Sequence, residues 1–228
     1  MSAGDGNSSV RAARMVLGMV QTNTWIIYRD TDETDKTGAK AVIIDPADDG
    51  ERIYDRLSEK GFVIESILLT HGHFDHIDGI AGLKRRAEAD GRELAVSCLD
   101  AELKICEDPD LNCSSSMGGR AFGVTPDRTF SDGDEIEAAG IVFEVIATPG
   151  HTKGSCCFYI KEAGILIAGD TLFEESVGRS DLPTGSMSEL VRSVKDRLLI
   201  LPDDTLVLPG HGGETTIGHE KMYNPFVA

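Results

Sequence analysis

The sequence is short of positive charge and has no long apolar run. Its 228 residues include 22 Lys and Arg against 39 Asp and Glu, which gives a net charge of −17. Sequence-independent binding to nucleic acid depends on cationic side chains that release counterions, and attraction to an anionic membrane depends on basic segments. No apolar run approaches the ~20 residues that span a bilayer. We therefore expect neither nucleic acid nor a membrane as a partner.

The five cysteines are odd in number and include no Cys-x-x-Cys pair. A disulfide framework needs paired cysteines and an oxidising compartment, so we expect free thiols in a reducing cytoplasm. Cys156 and Cys157 are consecutive in a predicted strand and should lie on its opposite faces. Residues 1–14 lack the apolar segment of a signal peptide and predict a flexible tail. Residues 15–228 are long enough to bury their own core and are expected to form a single domain.

Short apolar strands alternate with amphipathic helical segments along the chain. Continuous or alternating apolar runs predict strands, and apolar residues at helical spacing predict helices. Ser186 and Glu189 have the spacing of a capping box, which marks a helix start. Strands packed face to face with helices outside form a layered α/β sandwich. The predicted strands are 15–29, 41–44, 63–69, 93–98 and 205–208, with hairpins over 134–148 and 155–169, and the predicted helices are 50–60, 78–90, 100–106, 187–199 and 213–223.

The strongest chemical signal is the run Thr-His-Gly-His-Phe-Asp-His, which directly follows the strand predicted at 63–69. Gly72 and the strand end favour a tight loop rather than a helix. Alternate side chains in such a loop point the same way, so two histidines can share one metal ion while the next Asp-His pair faces a second. Imidazole and carboxylate ligands without a thiolate suit zinc, iron or manganese. The candidate ligands here are His71, His73, Asp75 and His76.

Further candidate ligands follow later strands, each beside a glycine. Loops at one edge of a rigid scaffold commonly carry functional side chains. Structural zinc sites mostly use four Cys-rich ligands, whereas nitrogen and oxygen ligands alone fit two open catalytic ions better. His219 lies in a predicted helix and is expected on its solvated face. The additional candidate ligands are His151, Asp170 and His211.

Together these residues resemble the ligand pattern of the metallo-β-lactamase superfamily. Its His-x-His-x-Asp-His run, later histidine, aspartate and final histidine occur in order, and the resemblance extends from about residue 15 to the end of the chain. Asp45, in Ile-Asp-Pro, resembles the family's early structural aspartate. The resemblance implies a four-layer αββα sandwich with two metal ions at one edge. It implies one ion held by His71, His73 and His151, a second held by Asp75, His76 and His211, and a bridge through Asp170.

Within that superfamily the chain most resembles short bacterial glyoxalase II-like hydrolases. This implies hydrolysis of a thioester such as S-lactoylglutathione or a related 2-hydroxyacyl thioester. Arg179 falls where that family has a cationic residue for a substrate carboxylate, which an arginine can bind through two hydrogen bonds. It can equally form a loop salt bridge with Asp181. The segments that carry this resemblance are 112–115, 169–173, 178–183 and 223–226.

The implied reaction is attack on the thioester carbonyl by a hydroxide that bridges two divalent ions. Two ions roughly 3.5–4 Å apart lower the pKa of a shared water toward ~7. A thiolate then leaves readily because the pKa of a thiol is only ~8.5. Asp75 is expected to orient the hydroxide. Zinc is the expected metal, with iron and manganese as alternatives.

The main alternative function is that of a mononuclear iron persulfide dioxygenase. Relatives of that type share the histidine loop and a segment like 178–181. A β-lactamase is less favoured, because that branch commonly has a cysteine among its metal ligands and position 170 is an aspartate. Charge and length also disfavour a nuclease. A lactonase and a non-catalytic metal-binding module remain as further alternatives.

Overall fold

The computed structural model describes residues 9–30 and 38–227, and its first half builds one six-stranded sheet. The strands stand in chain order. The first three are antiparallel, and each later strand is parallel to the one before it. The strands are β1 (Val10–Leu17), β2 (Thr22–Arg29), β3 (Ala39–Ile44), β4 (Phe62–Leu68), β5 (Ala95–Leu99) and β6 (Arg128–Phe130).

The second half of the chain builds the other six-stranded sheet, in the order β14-β13-β10-β9-β8-β7. Neighbouring strands are antiparallel except for the parallel pair β10 and β13. A separate two-stranded hairpin is formed by β11 and β12. The strands are β7 (Glu135–Ala138), β8 (Ile141–Ala147), β9 (Cys156–Ile160), β10 (Ile165–Gly169), β11 (Leu172–Phe173), β12 (Ser176–Val177), β13 (Leu206–Pro209) and β14 (Thr215–Thr216).

Helices cover the outer faces of both sheets. The Ser186 hydroxyl accepts a hydrogen bond from the Glu189 backbone N–H, which confirms the predicted helix start. A π-helical turn at Val194–Leu198 continues that helix. Among the described residues no helix has both the length and the apolar surface to cross a bilayer. The helices are α1 (Gly50–Glu59), α2 (Phe74–Ile77), α3 (Ile80–Ala89), α4 (Leu103–Glu107), α5 (Met187–Ser193) and α6 (Ile217–Tyr223).

Three apolar layers separate these four layers of secondary structure. The central one joins the two sheets and includes Trp25, Ile44, Phe143 and Phe158. A second layer lies between the first sheet and α1 and α3, and a third lies between the second sheet and α5 and α6. Removing this apolar surface from water is the main driving force for folding. The predicted αββα sandwich is confirmed.

The N-terminal strand differs from its prediction. A tail was expected through residue 14, but β1 starts at Val10 and pairs with β2 over its whole length. Val10 and Ala12 pack against the central core, which favours the strand over a tail. The strand predicted over 15–29 is interrupted by a turn in which Gly18 and Gln21 have positive φ. Residues 1–8 of the predicted tail lie outside the described residues, as do residues 31–37 between β2 and β3.

The last helix also begins later than predicted, at Ile217 rather than near residue 213. The residues before it pair with β13 as β14. The hydroxyl of Thr216 then accepts a hydrogen bond from the His219 backbone N–H and caps the helix. A strand pairing and a cap therefore occupy the segment that helical spacing alone had assigned to the helix.

Candidate metal centre

The candidate ligands lie where four chain segments leave the two sheets. His71 and His73 follow β4, and Asp75 lies in the single turn of α2. The loop predicted for the whole motif therefore ends at His73, because Phe74 begins a helix. His151, Asp170 and His211 follow β8, β10 and β13 in the second sheet. The centre is therefore built by both sheets at one edge of the sandwich.

Three buried histidines form the first group of candidate ligands. The Nε2 atom of His151 lies 2.9 Å from Nδ1 of His73 and 3.2 Å from Nε2 of His71. Burial, with the neighbouring histidines, lowers the pKa of His71 well below its usual value and that of His73 to about 3. All three nitrogens fall within the mutual distance that one metal ion can bridge. Neutral imidazoles whose nitrogens converge in this way suit a divalent cation.

The second group consists of Asp75, His76 and His211. Oδ2 of Asp75 lies 3.3 Å from Nε2 of His211 and 3.5 Å from Nε2 of His76. Burial would lower the pKa of both histidines, but the surrounding carboxylates outweigh it and raise the pKa of His76 to about 9 and that of His211 to about 10. The carboxylates around this group therefore favour positive charge, either as protonated histidine or as a bound cation.

Asp170 lies between the two groups. Its Oδ2 atom is 3.6 Å from Nε2 of His151 and 3.4 Å from Nε2 of His211, and its Oδ1 atom is 3.5 Å from Nε2 of His76. Burial opposes ionisation, but His76, His211 and His151 lower the pKa of Asp170 to about 2. A Cβ at Gly210 would come within 2.2 Å of Asp170 Oδ1, so the space beside this carboxylate requires glycine.

These residues fit divalent metal ions. Nε2 of His76 and Oδ1 of Asp170 are buried and have no hydrogen-bond partner. Buried polar atoms without partners are costly and call for an explanation such as an ion. The donor set contains only imidazole and carboxylate, which suits zinc, iron or manganese. All seven side chains that the sequence proposed as ligands are brought together.

Outer contacts orient the candidate ligands. Asp45, at φ +53° directly after β3, accepts hydrogen bonds from the backbone and hydroxyl of Thr70 and lies 3.0 Å from Nδ1 of His76. The hydroxyl of Thr22 donates a 2.7 Å hydrogen bond to Oδ2 of Asp75. Such outer partners fix the orientation of metal ligands. The sequence resemblance pointed to Asp45, but it carried no signal for Thr22.

Glu102 is a buried carboxylate that the sequence analysis missed. Oε1 accepts a hydrogen bond from Gly72, and Oε2 accepts hydrogen bonds from Thr152 and Gly154. Burial raises the pKa of Glu102 to about 7 even though these three hydrogen bonds oppose the shift. Its burial could have been predicted from helical spacing, because Glu102 precedes Ile105 and Cys106 by three and four residues and therefore lies on the same buried face.

The family model described as Metallo-beta-lactamase superfamily matches residues 17–211. The chain belongs to this superfamily. Its relatives include an uncharacterized protein of Aquifex aeolicus, 42% identical over 84% of this chain and 88% of the relative. They also include the probable metallo-hydrolase YqgX of Bacillus subtilis, 34% identical over 94% and 96%. The hydroxyacylglutathione hydrolase GloC of Haemophilus influenzae is 35% identical over 82% and 87%.

Several solved structures share the fold. BLEG-1 B3 metallo-beta-lactamase has a TM-score of 0.83 and 35% identity over 95% of this chain and 99% of that one. TTHA1623, in a di-iron-bound form, has a TM-score of 0.78 and 35% identity over 94% and 99%. ETHE1 from Myxococcus xanthus has a TM-score of 0.72 and 28% identity over 94% and 83%. The predicted resemblance to glyoxalase II-like metallo-hydrolases of the superfamily is confirmed.

An open cavity of about 310 Å³ is bordered by the candidate ligands His73, Asp75, His151, Asp170 and His211. A larger surface groove of about 560 Å³, beside Lys84 and Arg92, contains none of these ligands. Arg179 borders the smaller cavity, and its guanidinium donates two hydrogen bonds to Asp181. The backbone carbonyl of Arg179 lies 2.7 Å from Nδ1 of His151 and orients that ring. The apolar part of the wall is formed by Val20, Phe74, Met117, Phe173 and Leu182.

The remaining residues that the sequence singled out lie away from the candidate ligands. His219 is partly exposed on α6 and pairs with Glu175, as a residue of a solvated helix face does. Cys156 packs in the central core and Cys157 in the outer core below α5, so the two thiols lie on opposite faces of β9, as predicted. All five cysteines are buried free thiols.

Proposed function

We propose that this protein hydrolyses thioesters, with S-lactoylglutathione or a related 2-hydroxyacyl thioester as substrate. The observation that carries the proposal is the convergence of seven imidazoles and carboxylates beneath an open cavity. The relative named hydroxyacylglutathione hydrolase supports this substrate class. The five buried free thiols support a reducing compartment as the place of action.

The proposed cofactors are two divalent ions, with zinc as the expected metal and iron or manganese as alternatives. Asp170 is the proposed bridge between the two ions. When bound, such ions supply a Lewis acid for the carbonyl oxygen and a water of lowered pKa. The proposed ligands are His71, His73 and His151 for one ion and Asp75, His76 and His211 for the other.

Asp75 is the proposed residue that orients the attacking water. Burial opposes its ionisation, but His76, His211 and Thr22 hold its pKa well below the usual range. Asp75 therefore remains a carboxylate at neutral pH and can accept a hydrogen bond from the water. Because the carboxylate borders the cavity, it can direct the water oxygen toward a carbonyl carbon. Water adds to that carbon, the C–S bond breaks, and a carboxylate and a thiol are released.

Arg179 is proposed to hold a carboxylate of the substrate. Its bidentate pairing with Asp181 shows the geometry in which a guanidinium binds a carboxylate, and half of the side chain is exposed. A substrate carboxylate can replace Asp181, since an exposed ion pair contributes little stability. The apolar wall of the cavity would contact the rest of the substrate.

The alternative of a mononuclear iron persulfide dioxygenase draws on the similarity to the ETHE1 structure. Asp75, His76 and His211 converge as a second group, but relatives of the dioxygenase type can keep these ligands unused, so the choice between the two reactions depends on metal content and oxygen consumption. The relative named hydroxyacylglutathione hydrolase, at 35% identity, favours the hydrolase. Lactonase and β-lactamase activities rank lower. The structural similarity to BLEG-1 is the observation that favours testing a β-lactam alongside.

One preparation tests both functions. Its metal content is measured, thiol release is followed with S-lactoylglutathione, and oxygen consumption is followed with glutathione persulfide. We expect two metal ions per chain, thiol release and no oxygen consumption. Oxygen consumption without thioester turnover would replace the hydrolase by the dioxygenase.

A further inference from the structure

Glu102 connects two ligand loops that come from different sheets. Oε1 accepts a 2.7 Å hydrogen bond from the backbone N–H of Gly72, which lies between His71 and His73. Oε2 accepts hydrogen bonds from the Thr152 hydroxyl at 2.8 Å and from the Gly154 N–H at 2.9 Å. These two residues follow His151. One carboxylate therefore contacts both loops that supply the first group of candidate ligands.

Both loops pack closely, through a glycine, against the short helical segment that contains Glu102 and Cys106. A Cβ at Gly72 would lie 2.8 Å from both the backbone nitrogen and Sγ of Cys106, and a Cβ at Gly154 would lie 2.4 Å from the backbone nitrogen of Glu102. Any larger residue would push a loop away from this segment. The Thr70 carbonyl also accepts a hydrogen bond from the Cys156 N–H at 2.9 Å, so the loops are joined on both sides of the histidines.

We propose that Glu102 is a positioning residue that fixes the distance between the His71–His73 loop and the His151 loop, so that the three imidazoles converge before an ion binds. The inference rests on the proposed metal centre. The three groups that contact the Glu102 carboxylate are hydrogen-bond donors, and both of its oxygens accept hydrogen bonds from them. Residues that orient ligands in this way commonly change metal affinity by 10–100-fold when replaced.

Glu102→Gln is the informative variant because it keeps the size of the side chain. The amide has one accepting oxygen, so it can serve the Gly72 loop or the His151 loop but not both. Glu220→Gln is the matched control. Glu220 is equally buried and accepts hydrogen bonds from the Thr215 hydroxyl, the Glu175 N–H and the Asn224 amide, all outside the ligand loops.

The test measures Zn²⁺ affinity by competition with a chromophoric chelator after the resident metal has been removed. Wild type should bind two ions, and Glu102→Gln should bind at least one of them about tenfold or more weakly. Glu220→Gln should match wild type, even if both variants lose similar thermal stability. The visible spectrum of the Co²⁺-loaded protein should change in Glu102→Gln only, because a merely structural role would not alter the ligand geometry.

The outcomes separate the two claims. Glu102→Gln with an affinity within about twofold of wild type would overturn the positioning role and leave the metal centre intact, given the 10–100-fold range expected. Wild type that binds no Zn²⁺, Co²⁺ or iron would overturn the proposed function as well. If Glu102→Gln does not fold, Thr152→Val removes one of the three donors, and it should weaken Zn²⁺ binding in the same direction. An unchanged affinity in that variant would also overturn the inference.

Discussion

Replacing Thr22 with valine tests how firmly Asp75 is held. The Thr22 hydroxyl donates a 2.7 Å hydrogen bond to Oδ2 of Asp75 and is fully buried at the start of β2. Valine keeps the branched shape that a strand favours, so the change removes only the donor. Because Asp75 is both a proposed ligand and the proposed orienting residue, loss of this donor should slow turnover rather than weaken substrate binding.

The size of the effect follows from the exposure of the acceptor. A hydrogen bond to a charged group contributes about 1.5–3 kcal/mol. The Asp75 side chain is 15% exposed, so water can replace part of the lost bond and the lower end of that range applies. About 1.5 kcal/mol corresponds to about a tenfold decrease in rate. We therefore expect kcat to fall about tenfold and KM to stay within about twofold.

The assay is steady-state hydrolysis of S-lactoylglutathione, with the metal content of each preparation measured in parallel. Thr205→Val is the control, because Thr205 is also buried but its hydroxyl has no hydrogen-bond partner. That variant should keep the wild-type kcat and lose no stability. A Thr22→Val enzyme with wild-type kcat and full metal content would refute the proposed support of Asp75 by this hydroxyl.

Further substitutions and metal removal give separate tests. His73→Ala should abolish thioester turnover while the far-UV circular dichroism stays unchanged, and wild-type rates would dismiss the proposed site. Arg179→Ala should raise KM about fivefold and leave kcat nearly constant, as expected for a partly exposed charged contact; an unchanged KM would remove Arg179 from substrate binding. Gly210→Ala should lower zinc content, because its Cβ would lie 2.2 Å from Asp170 Oδ1; a fully loaded, active variant would contradict this. Chelation should abolish turnover and lower Tm, both restored by Zn²⁺, and a Tm independent of metal would argue against ions that join the sheets.

The ligand set was predictable from sequence because each member follows an apolar strand and stands beside a glycine or in a dense histidine motif. His71 and His73 belong to the same group, as the alternation of side chains after β4 predicted, and Asp75 and His76 belong to the second group. Asp75 and His76 reach the second group for a different structural reason than the sequence predicted. A helical turn, rather than continued loop, carries these two side chains.

The supporting contacts were not predictable because they join residues that are distant in the chain. Thr22 meets Asp75 across 53 positions, and Glu102 meets Gly72 and Gly154 across 30 and 52. Periodicity describes one element at a time and contains no information on which loops will meet. The early start of β1 was missed for a similar reason, since Val10 and Ala12 are stabilised by packing against the central core between the two sheets.

The division of the ligands between two sheets has a consequence for assembly. Neither of the two proposed metal sites is complete in one half of the chain, since His151 completes the set begun by His71 and His73, and His211 completes the set begun by Asp75 and His76. An ion held at either site would be coordinated by residues of both sheets and would therefore link the two halves of the sandwich. Metal binding would then require that the two halves have packed together correctly. A misassembled chain would bind no Co²⁺ at these sites and would lack the visible absorption of the cobalt-loaded protein.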